Sequence, residues 1–296
     1  MTAEALVLVL GSANVDLATH VQRLPRAGET VMGGALDQTV GGKGANQAIA
    51  ARRAGADIDF RAAIGRTDSG EWLVAQLRAE GVGVDHLERP AQPPGTAFVA
   101  IDAVGENQIV VCPGSNAQAG ARLLEPSPRQ PPAVVLVQCE IPRQTVLAAL
   151  EYGRRIGAVT ILNAAPATPL TARAVAAIDI LVVNEHEYAI ALGQPPGTQL
   201  THQPGWPTVI VTLGARGAAI LDHDETRTIP ARPVTVVDTV GAGDAFCGVL
   251  AASLAHGHQI DEAVTWGCAA GALTVTRPGA ATALPTADEI HRFRTA

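Results

Sequence analysis

The chain has 296 residues, 47% of them hydrophobic, which is enough to build the core of one large α/β domain or two modest ones. Its formal net charge of −7 argues against a surface for nucleic acid or an anionic membrane, because an acidic field repels both. No apolar run reaches the roughly eighteen residues that a membrane span needs, and residues 1–4 lack the basic character of a secretory signal. We therefore expect a globular, cytoplasmic protein.

The cysteines are scattered and form no Cys-x-x-Cys pair. Each lies in an apolar neighbourhood of the sequence: Cys112, Cys139, Cys247 and Cys268. We expect reduced thiols in the core rather than disulfides or metal ligands.

The chain begins with a predicted buried strand and a glycine-rich helix start. Residues 6–10 are continuously apolar, which is typical of a parallel strand covered on both faces. Asn14 and Asp16 follow it, at the end where open α/β sheets bind ligands, although Asx turns would also explain them. Residues 41–48 then start a helix that is predicted to run to about Arg53. The glycines of this run favour the close approach of a ligand to the backbone.

Segments with strand patterns but no intervening helix predict a lid. Residues 30–40 are rich in glycine and β-branched residues, and the strand patterns at 96–103 and 108–111 flank a Gly-Glu-Asn turn. We expect these strands to form a small antiparallel sheet beside the main one. An insertion of this kind near a ligand site commonly acts as a lid.

The rest of the chain alternates strand and helix patterns, which implies right-handed βαβ units. Further strands are predicted at residues 57–64, 134–137, 159–162, 180–183, 208–212 and 218–221, with a Pro-rich link at 126–132. Helices are predicted at residues 71–80, 143–155, 171–177, about 261–276 and from Asp288. Polar residues after three of these strands predict a binding cleft along one edge of the sheet: Gln138, Glu140, Asn163, Asn184 and Glu185.

A turn near the C-terminus indicates the chemistry. Residues 234–237 predict a strand and residues 245–255 a helix. Between them, the Gly241-Ala242-Gly243 turn leaves backbone N–H groups free to converge on an anion at the helix start. Asp244 follows in the first helical turn, where it could take a proton from a hydroxyl, so the stretch favours phosphoryl transfer.

A plain strand-to-helix connection with a good cap has the same appearance and stays open as an alternative. Two other phosphate motifs are excluded. Phe246 occupies the position of the third Rossmann glycine, and Lys43 is followed by Gly44 instead of the Ser or Thr of a Walker motif.

Taken together, the motifs resemble those of the ribokinase family of carbohydrate kinases, from Leu8 to about Pro285. They occur in the family's order at residues 11–16, 41–48, 105–107, 163–167, 184–185, 212–217 and 238–244. The resemblance implies a single domain over residues 1–296, with a doubly wound, mostly parallel sheet flanked by helices. It also implies a small antiparallel β lid, inserted from about 17–40 and 95–113, through which two subunits form a homodimer.

The resemblance is closer to the family's ribose kinases than to its adenosine or fructose kinases, chiefly because of Asn14, Asp16 and residues 41–46. It implies transfer of the γ-phosphate of ATP to the 5-hydroxyl of D-ribose. Asp244 matches the catalytic base, and Gly241, Ala242 and Gly243 match the anion hole. The matches to the family's sugar contacts are Asn14, Asp16, Gly42, Lys43, Asn46, Glu140 and Asp244.

The resemblance also assigns nucleotide and cation positions, with Mg²⁺ bridging the phosphates. The nucleotide positions are Asn184, Thr212, Gly214, Arg216, Gly217, Gly243 and Cys268. A monovalent cation, expected to be K⁺, matches Asp238, Val240, Thr274, Arg277, Gly279 and Ala283. Cys268 replaces an asparagine and Ala283 a serine, and residues 193–206 form a shorter nucleotide flank. We expect these departures to weaken nucleotide or potassium binding without abolishing catalysis.

Alternatives from the same class and from different classes remain. The sequence separates a kinase for another furanose, such as deoxyribose, or for a nucleoside poorly from a ribose kinase. A nucleoside pocket would mainly need room and an aromatic or apolar wall in the lid near Phe98 and Val111. A sugar-binding sensor would have no need of the intact Asp244. A nicotinamide-dependent dehydrogenase is disfavoured by the missing third glycine, and the fold alone decides among none of these.

Overall fold

A computed structural model of the chain describes residues 5–125, 130–223 and 225–296. Residues 126–129 of the predicted Pro-rich link lie outside this part. The strands are β1 (Leu6–Leu10), β2 (Asn14–Val21), β3 (Gly33–Gly41), β4 (Asp57–Arg61), β5 (Gly95–Ile101), β6 (Asn107–Cys112), β7 (Val134–Gln138), β8 (Val159–Asn163), β9 (Ile180–Asn184), β10 (Thr208–Thr212), β11 (Ala218–Leu221) and β12 (Thr226–Ile229). The helices are α1 (Lys43–Arg53), α2 (Asp68–Ala79), α3 (Arg143–Ile156), α4 (Ala172–Val175), α5 (Glu185–Ala191), α6 (Ala242–Ala255), α7 (Ile260–Thr274) and α8 (Ala287–Thr295).

The main sheet has eight strands in the order β12-β11-β10-β9-β8-β7-β1-β4. The six strands from β10 to β4 in this order are parallel, whereas β11 and β12 add an antiparallel edge. Alternate side chains of β1 enter different cores: Val7 and Val9 pack with α1 and α6, and Leu8 and Leu10 pack with α3. Helices therefore cover both faces, as predicted for a doubly wound sheet.

A second sheet has the order β3-β2-β5-β6 and confirms the predicted separate sheet. The β3/β2 and β5/β6 pairings are antiparallel, but β2 and β5 pair in parallel. We call this sheet the lid sheet. Strand β2 begins at Asn14, directly after the turn that ends β1, so Asn14 and Asp16 lie at the base of the lid sheet and not in a loop.

Two details of the strand prediction are wrong. Residues 234–237 form no strand; Val236 and Val237 are 56% and 61% exposed, and the Val237 N–H bonds to the Val275 carbonyl at 2.7 Å. This segment crosses from the sheet edge to α6, so its β-branched residues have no strand to pair with. Conversely, β12 was not predicted, because its polar residues alternate at an exposed edge.

The cysteines are free thiols, and one of them is not in the core. Cys247 is buried and Cys139 and Cys268 are partly buried, but Cys112 is exposed at the end of the lid strand β6, contrary to the prediction. In the described ranges, none of the helices combines the length and apolar character needed to cross a bilayer.

Candidate active site

The candidate active site lies where the carboxyl ends of the parallel strands meet the lid sheet. A cavity of about 540 Å³ opens there. Strands β2 and β6, helices α1 and α5, and the segments after β6 and β7 contribute to its walls, which include Asn14, Lys43, Val111, Asn116, Glu140 and Glu187. The structure thus brings three of the predicted sugar contacts, Asn14, Lys43 and Glu140, to one cavity.

Asp244 is held by one face of helix α1. It is only 6% exposed in the first turn of α6. Asn46 Nδ2 donates to its Oδ2 at 3.1 Å, Gln47 Nε2 donates to its Oδ1 at 2.9 Å, and Lys43 Nζ lies 3.9 Å from Oδ1. Lys43, Asn46 and Gln47 are positions i, i+3 and i+4 of α1, which lie on the same side of a helix. The carboxylate is therefore fixed by two amides and faces one ammonium.

Helices α1 and α6 approach closely because α6 carries a glycine at the contact. A Cβ at Gly248 would lie 2.4 Å from the Gln47 carbonyl oxygen and 2.6 Å from the Ala50 Cβ. Only a residue without a side chain fits at that distance. This close packing brings Asp244 within hydrogen-bonding range of α1.

Behind Asp244 lies a chain of buried amides. Gln47 Nε2 also donates to Asn163 Oδ1 at 3.0 Å, and Gln138 Nε2 donates to Gln47 Oε1 at 2.7 Å. Asn163 Nδ2 in turn donates to the Val182 carbonyl at 3.2 Å. The ends of β7 and β8 therefore connect to the candidate base through Gln47.

Asp16 has a buried carboxylate oxygen that no described donor reaches. Its Oδ1 is buried and has no hydrogen-bond partner among the described residues. Burial, followed by the negative charges of Glu140 and Asp244, raises the pKa of Asp16 to about 6. Room for the carboxylate exists because the residue beside it is Gly41, where a Cβ would lie 2.0 Å from Asp16 Oδ2. Such a group is suited to accept hydrogen bonds from a ligand.

Glu140 and Asn14 are oriented by neighbours. Glu140 Oε2 accepts from Ser12 Oγ at 2.6 Å and from the Lys43 backbone N–H at 3.0 Å. Asn116 Nδ2 donates to Asn14 Oδ1 at 2.7 Å, which leaves the NH₂ group of Asn14 to serve a ligand in the cavity.

The Asp244 carboxylate, aided by Glu140, raises the pKa of Lys43 against the opposing effect of burial, so Lys43 stays cationic at neutral pH.

Gly42 gives the chain its turn into α1. Its φ of 86° is in the left-handed region, and a Cβ there would lie 2.9 Å from the Asn14 backbone nitrogen. The backbone at the start of α1 is thereby brought against the base of the lid sheet. This places Lys43 beside Asn14 at the cavity.

The start of α6 is open to an anion. Gly241 caps the helix in the left-handed conformation with φ of 77°, and no side chain within the described ranges caps the first turn. A Cβ at Gly243 would meet nothing within 4 Å. The Ala242 N–H bonds to the Thr239 carbonyl at 3.4 Å, whereas the open space at Gly243 and the dipole of α6 suit the helix start, one residue before Asp244, to an anion.

The predicted cation residues lie on the segment before α6 and on the end of α7 with the segment that follows it. Asp238 joins them, since its Oδ1 accepts from the Val240 N–H at 3.0 Å and its Oδ2 from the Gly279 N–H at 2.9 Å. Thr274 is buried and bonds to the Ala270 carbonyl, and Ala283 is fully buried. The Arg277 side chain points away to Glu289 at 2.5 Å, so only its backbone could contribute to a site here.

The predicted nucleotide residues come from β9, β10 and the following turn. Asn184 and Thr212 are paired in register, Asn184 caps α5 in a capping box with Glu187, and Arg216 bonds to Glu185 at 2.6 Å. Two glycines of the turn have positive φ, Gly214 and Gly217. Cys268 lies on α7 against the core, and burial raises its pKa to about 12. No described contact joins it to the β9–β10 group.

Several polar residues of the site are not among the residues predicted from the sequence. Ser12, Gln47 and Glu187 fall inside or beside the motifs already discussed, and Glu187 is recognisable as the third residue of a capping box. Asn116, in contrast, sits in a short turn after β6 without any pattern that would distinguish it.

Comparisons with known proteins agree with this architecture. Residues 4–287 match the pfkB family of carbohydrate kinases. Ribokinase of Bacillus subtilis is 35% identical over 97% of this chain and 98% of its own length, and ribokinase of Haemophilus influenzae is 33% identical over 96% and 97%. A deoxyribokinase of Salmonella typhi is 29% identical over 97% and 98%.

Solved structures give the same result. A crystal structure of ribokinase from Thermotoga maritima has a TM-score of 0.88 and 30% identity, covering 98% of this chain and 99% of that one. Ribokinase of Arabidopsis thaliana, complexed with ribose and ATP, has a TM-score of 0.87 and 28% identity, with 99% of each chain covered. The chain therefore belongs to the PfkB family of carbohydrate kinases and has the ribokinase fold.

Proposed function

We propose that the protein is an ATP-dependent kinase that phosphorylates the 5-hydroxyl of D-ribose, giving D-ribose 5-phosphate and ADP. The observation that carries the proposal is the position of Asp244, a buried carboxylate beside the uncapped start of α6. Transfer of a phosphoryl group to a hydroxyl needs a proton acceptor next to an anion site. Family membership and the similarity to ribokinases over nearly the whole chain support ribose and ATP as the substrates.

In this proposal Asp244 takes the proton of the 5-hydroxyl while the hydroxyl oxygen attacks the γ-phosphorus. The bond from that phosphorus to the bridging oxygen breaks, and ADP leaves with the electron pair. The N–H groups of the Gly241-Ala242-Gly243 turn face the charge that develops on the transferred group. Lys43, which stays cationic, offsets the negative charge around the acceptor.

The sugar is held by groups that keep hydrogen-bonding capacity unused within the described part of the protein. Asp16 Oδ1 and Asn46 Oδ1 are buried without a partner in the described part of the chain, and both accept from hydroxyl donors. The NH₂ group of Asn14 supplies a donor. Gly42, Lys43 and Glu140 complete the contacts. Vicinal hydroxyls, which donate and accept, are well matched to this set.

The nucleotide is assigned to the β9–β10 side, with Asn184, Thr212, Gly214, Arg216 and Gly217 around it and Gly243 at its phosphates. We place Cys268 at its adenine side. Among the described residues no group of three or more acidic, His or Cys side chains is arranged to hold a metal ion, so Mg²⁺ would be held mainly by the phosphates. Its chemistry is to neutralise phosphate charge.

A monovalent cation fits the loops joined by Asp238. A carboxylate whose oxygens each accept one N–H keeps further lone pairs, and neighbouring backbone carbonyls are ligands that K⁺ accepts. We assign Asp238, Val240, Thr274, Arg277, Gly279 and Ala283 to this site, several through their carbonyls. Gly241 packs closely against Ala280, because a Cβ at Gly241 would lie 3.0 Å from Ala280 Cα. The loop after α7 therefore also packs against the anion turn.

A kinase for deoxyribose or a nucleoside is the second candidate. The deoxyribokinase relative and the apolar wall of the cavity at Val111, Ala165 and Pro166 favour it. Phe98 does not contribute to this wall as expected, because it is paired with Val110 and therefore lies on the opposite face of the lid sheet from Val111.

We further propose that residues 1–296 form one kinase domain, that the protein is cytoplasmic, and that the lid sheet mediates a homodimer. Leu36, Phe98 and Val110 are 65%, 49% and 62% exposed on the face of the lid sheet opposite Asp16. An exposed apolar sheet face of this kind suits a second copy. Sedimentation of the protein and of Val110→Asp would test it, with a monomeric wild type refuting the dimer.

The function is tested by coupled ADP release with ribose, 2-deoxyribose, fructose, adenosine and uridine, in potassium or in sodium. We expect the highest kcat/KM with ribose and stimulation by potassium. Asp244→Asn should lower kcat by about 10²–10⁴-fold while ribose still binds by calorimetry, because general-base catalysis contributes that much. Turnover of this variant at the wild-type rate would remove Asp244 from its role, and preference for a nucleoside would select the second candidate.

A further inference from the structure

We infer that Gln47 is a positioning residue, which aims the Asp244 carboxylate by means of the buried amide chain that runs from Gln138 to Val182. The inference rests on the proposed role of Asp244 as the base. Gln47 is fully buried, as is Gln138, while Asn163 is 7% exposed, and the Gln47 amide bonds to Asp244, Asn163 and Gln138. Its contribution is therefore made through Asp244 and not through the sugar.

The direction of the amides in this chain is fixed by two acceptors that contact it, the Val182 carbonyl and the Asp244 carboxylate. The Val182 carbonyl can only accept, so it takes the NH₂ group of Asn163 and turns the Asn163 oxygen toward Gln47. That oxygen and the ionised Asp244 are both acceptors, so the NH₂ group of Gln47 must face them with both of its hydrogens. The Gln47 oxygen is then left for Gln138 Nε2.

This arrangement removes the rotational freedom of Asp244. Gln47 holds Oδ1 and Asn46 holds Oδ2, so the plane of the carboxylate is set by two donors on one face of α1. Asn46 is assigned to the sugar through its unpaired Oδ1, so its amide serves the substrate as well as Asp244. Gln47 has no such second task, because its other bonds run to Asn163 and Gln138.

Two charged side chains face Asp244. Lys43 Nζ lies 3.9 Å from its Oδ1, and Asp16 is near enough that the charge of Asp244 helps to raise the Asp16 pKa. Glu140 adds to the negative charge near Asp16 and Lys43, and Glu187 acts on Lys43. Burial raises the pKa of the Cys247 thiol on α6, so this thiol stays neutral. Loss of the Gln47 donor shifts Asp244 toward its protonated form, because a hydrogen bond to a carboxylate favours the charged state.

Two substitutions at one position test the inference. Gln47→Met keeps the length of the side chain but donates no hydrogen bond, and should lower kcat by about 10- to 100-fold with the sugar KM changed less than about threefold. The acid limb of the kcat–pH profile should move up by about one pH unit. Gln47→Glu keeps the shape and should move this limb further, because two carboxyl groups would share one proton.

The matched control is Thr145→Val. Thr145 is buried and bonds through Oγ1 to the Ala119 carbonyl at 2.7 Å, away from the site. It should lose stability by thermal unfolding yet keep the wild-type acid limb. If both Gln47 variants keep the wild-type kcat and acid limb, the inference is overturned. If Gln47→Met does not fold, Gln47→Glu alone decides by the same criteria.

A measurement without turnover separates this inference from the proposed function. With aspartate carboxyl carbons labelled with ¹³C, the NMR signal that disappears in Asp244→Asn reports the protonation of Asp244. A wild type inactive on ribose with a Gln47→Glu signal that titrates at higher pH would refute the function and support Gln47. A ribose-active wild type whose Asp244 signal titrates identically in Gln47→Glu would refute Gln47 alone.

Discussion

Asp16→Asn should make the unliganded protein more stable at neutral pH while weakening its sugar binding. The wild-type carboxylate is desolvated, lacks a partner at Oδ1 and lies near Glu140 and Asp244. Because these effects disfavour the charged form, ionised Asp16 costs folding free energy. Asparagine keeps the shape of the side chain and removes the charge.

The magnitude follows from the raised pKa. An increase from the ordinary value of 3.8 to about 6 corresponds to about 3 kcal/mol. Below pH 3.8 Asp16 is protonated in both the folded and the unfolded chain, so the variant gains nothing there. As the pH rises through this value to about 6, the unfolded chain ionises first and the wild type loses stability relative to the variant. Above pH 6 the difference is constant.

The assay is thermal unfolding without ligand at pH 4 and pH 7.5. We expect Asp16→Asn to raise Tm by about 4–6 °C at pH 7.5, at about 2 °C per kcal/mol for a chain of this size, and much less at pH 4. The matched control is Asp37→Asn, which makes the same charge change at an exposed position of β3 and should leave Tm unchanged. A lower Tm for Asp16→Asn at pH 7.5, or a gain independent of pH, would refute the reasoning.

Two further predictions concern glycines. Gly243→Ala should stabilise α6 by about 0.5–1 kcal/mol, because the position has an ordinary helical φ and open space. The added methyl group at the anion turn should nevertheless raise the KM for ATP and lower kcat. Unchanged kinetics in ADP release would contradict this role. Gly41→Ala should raise the ribose KM at least tenfold by displacing Asp16. The control is Gly34→Ala on the same strand, where the new Cβ meets only one atom, at 3.6 Å, and the ribose KM should stay unchanged. Equal KM values for the two variants would exclude the steric reason.

The parallel strands were predictable because both of their faces are buried, so each is a short apolar run with polar residues after it. The helix starts at Lys43 and Ala242 were predictable from glycine-rich turns. The failures have a common cause. Residues 234–237 have the β-branched composition of a strand but no neighbour to pair with, and β12 pairs without having that composition. Pairing is a tertiary property, which local composition reports poorly.

The site was predictable only as far as single motifs reach. Lys43, Asn46 and Asp244 fall in recognisable runs, and the spacing of the first two already places them on one helix face. Asp244 lies 198 residues further along the chain than Asn46. The contact of Lys43 and Asn46 with Asp244 therefore depends on the close packing of α1 against α6. Asn116 could not be found, because its role arises only from its bond to Asn14 in the folded chain.

The distribution of charge in the site limits the acceptors that it can take. Among the described residues of the site, the carboxylates of Asp16, Glu140 and Asp244 lie near the ammonium of Lys43. The sugar side of the site therefore has an excess of hydrogen-bond acceptors and of negative charge. A neutral polyol brings hydroxyl donors to these groups and offsets their desolvation. A sugar acid or a sugar that already carries a phosphate would add like charge in a poorly hydrated cavity and be repelled. The start of α6, in contrast, is suited to an anion and lies on the side assigned to the phosphates of ATP. In the proposed function, acceptor and donor are thus separated by charge, and Asp244, the proposed base, lies between them.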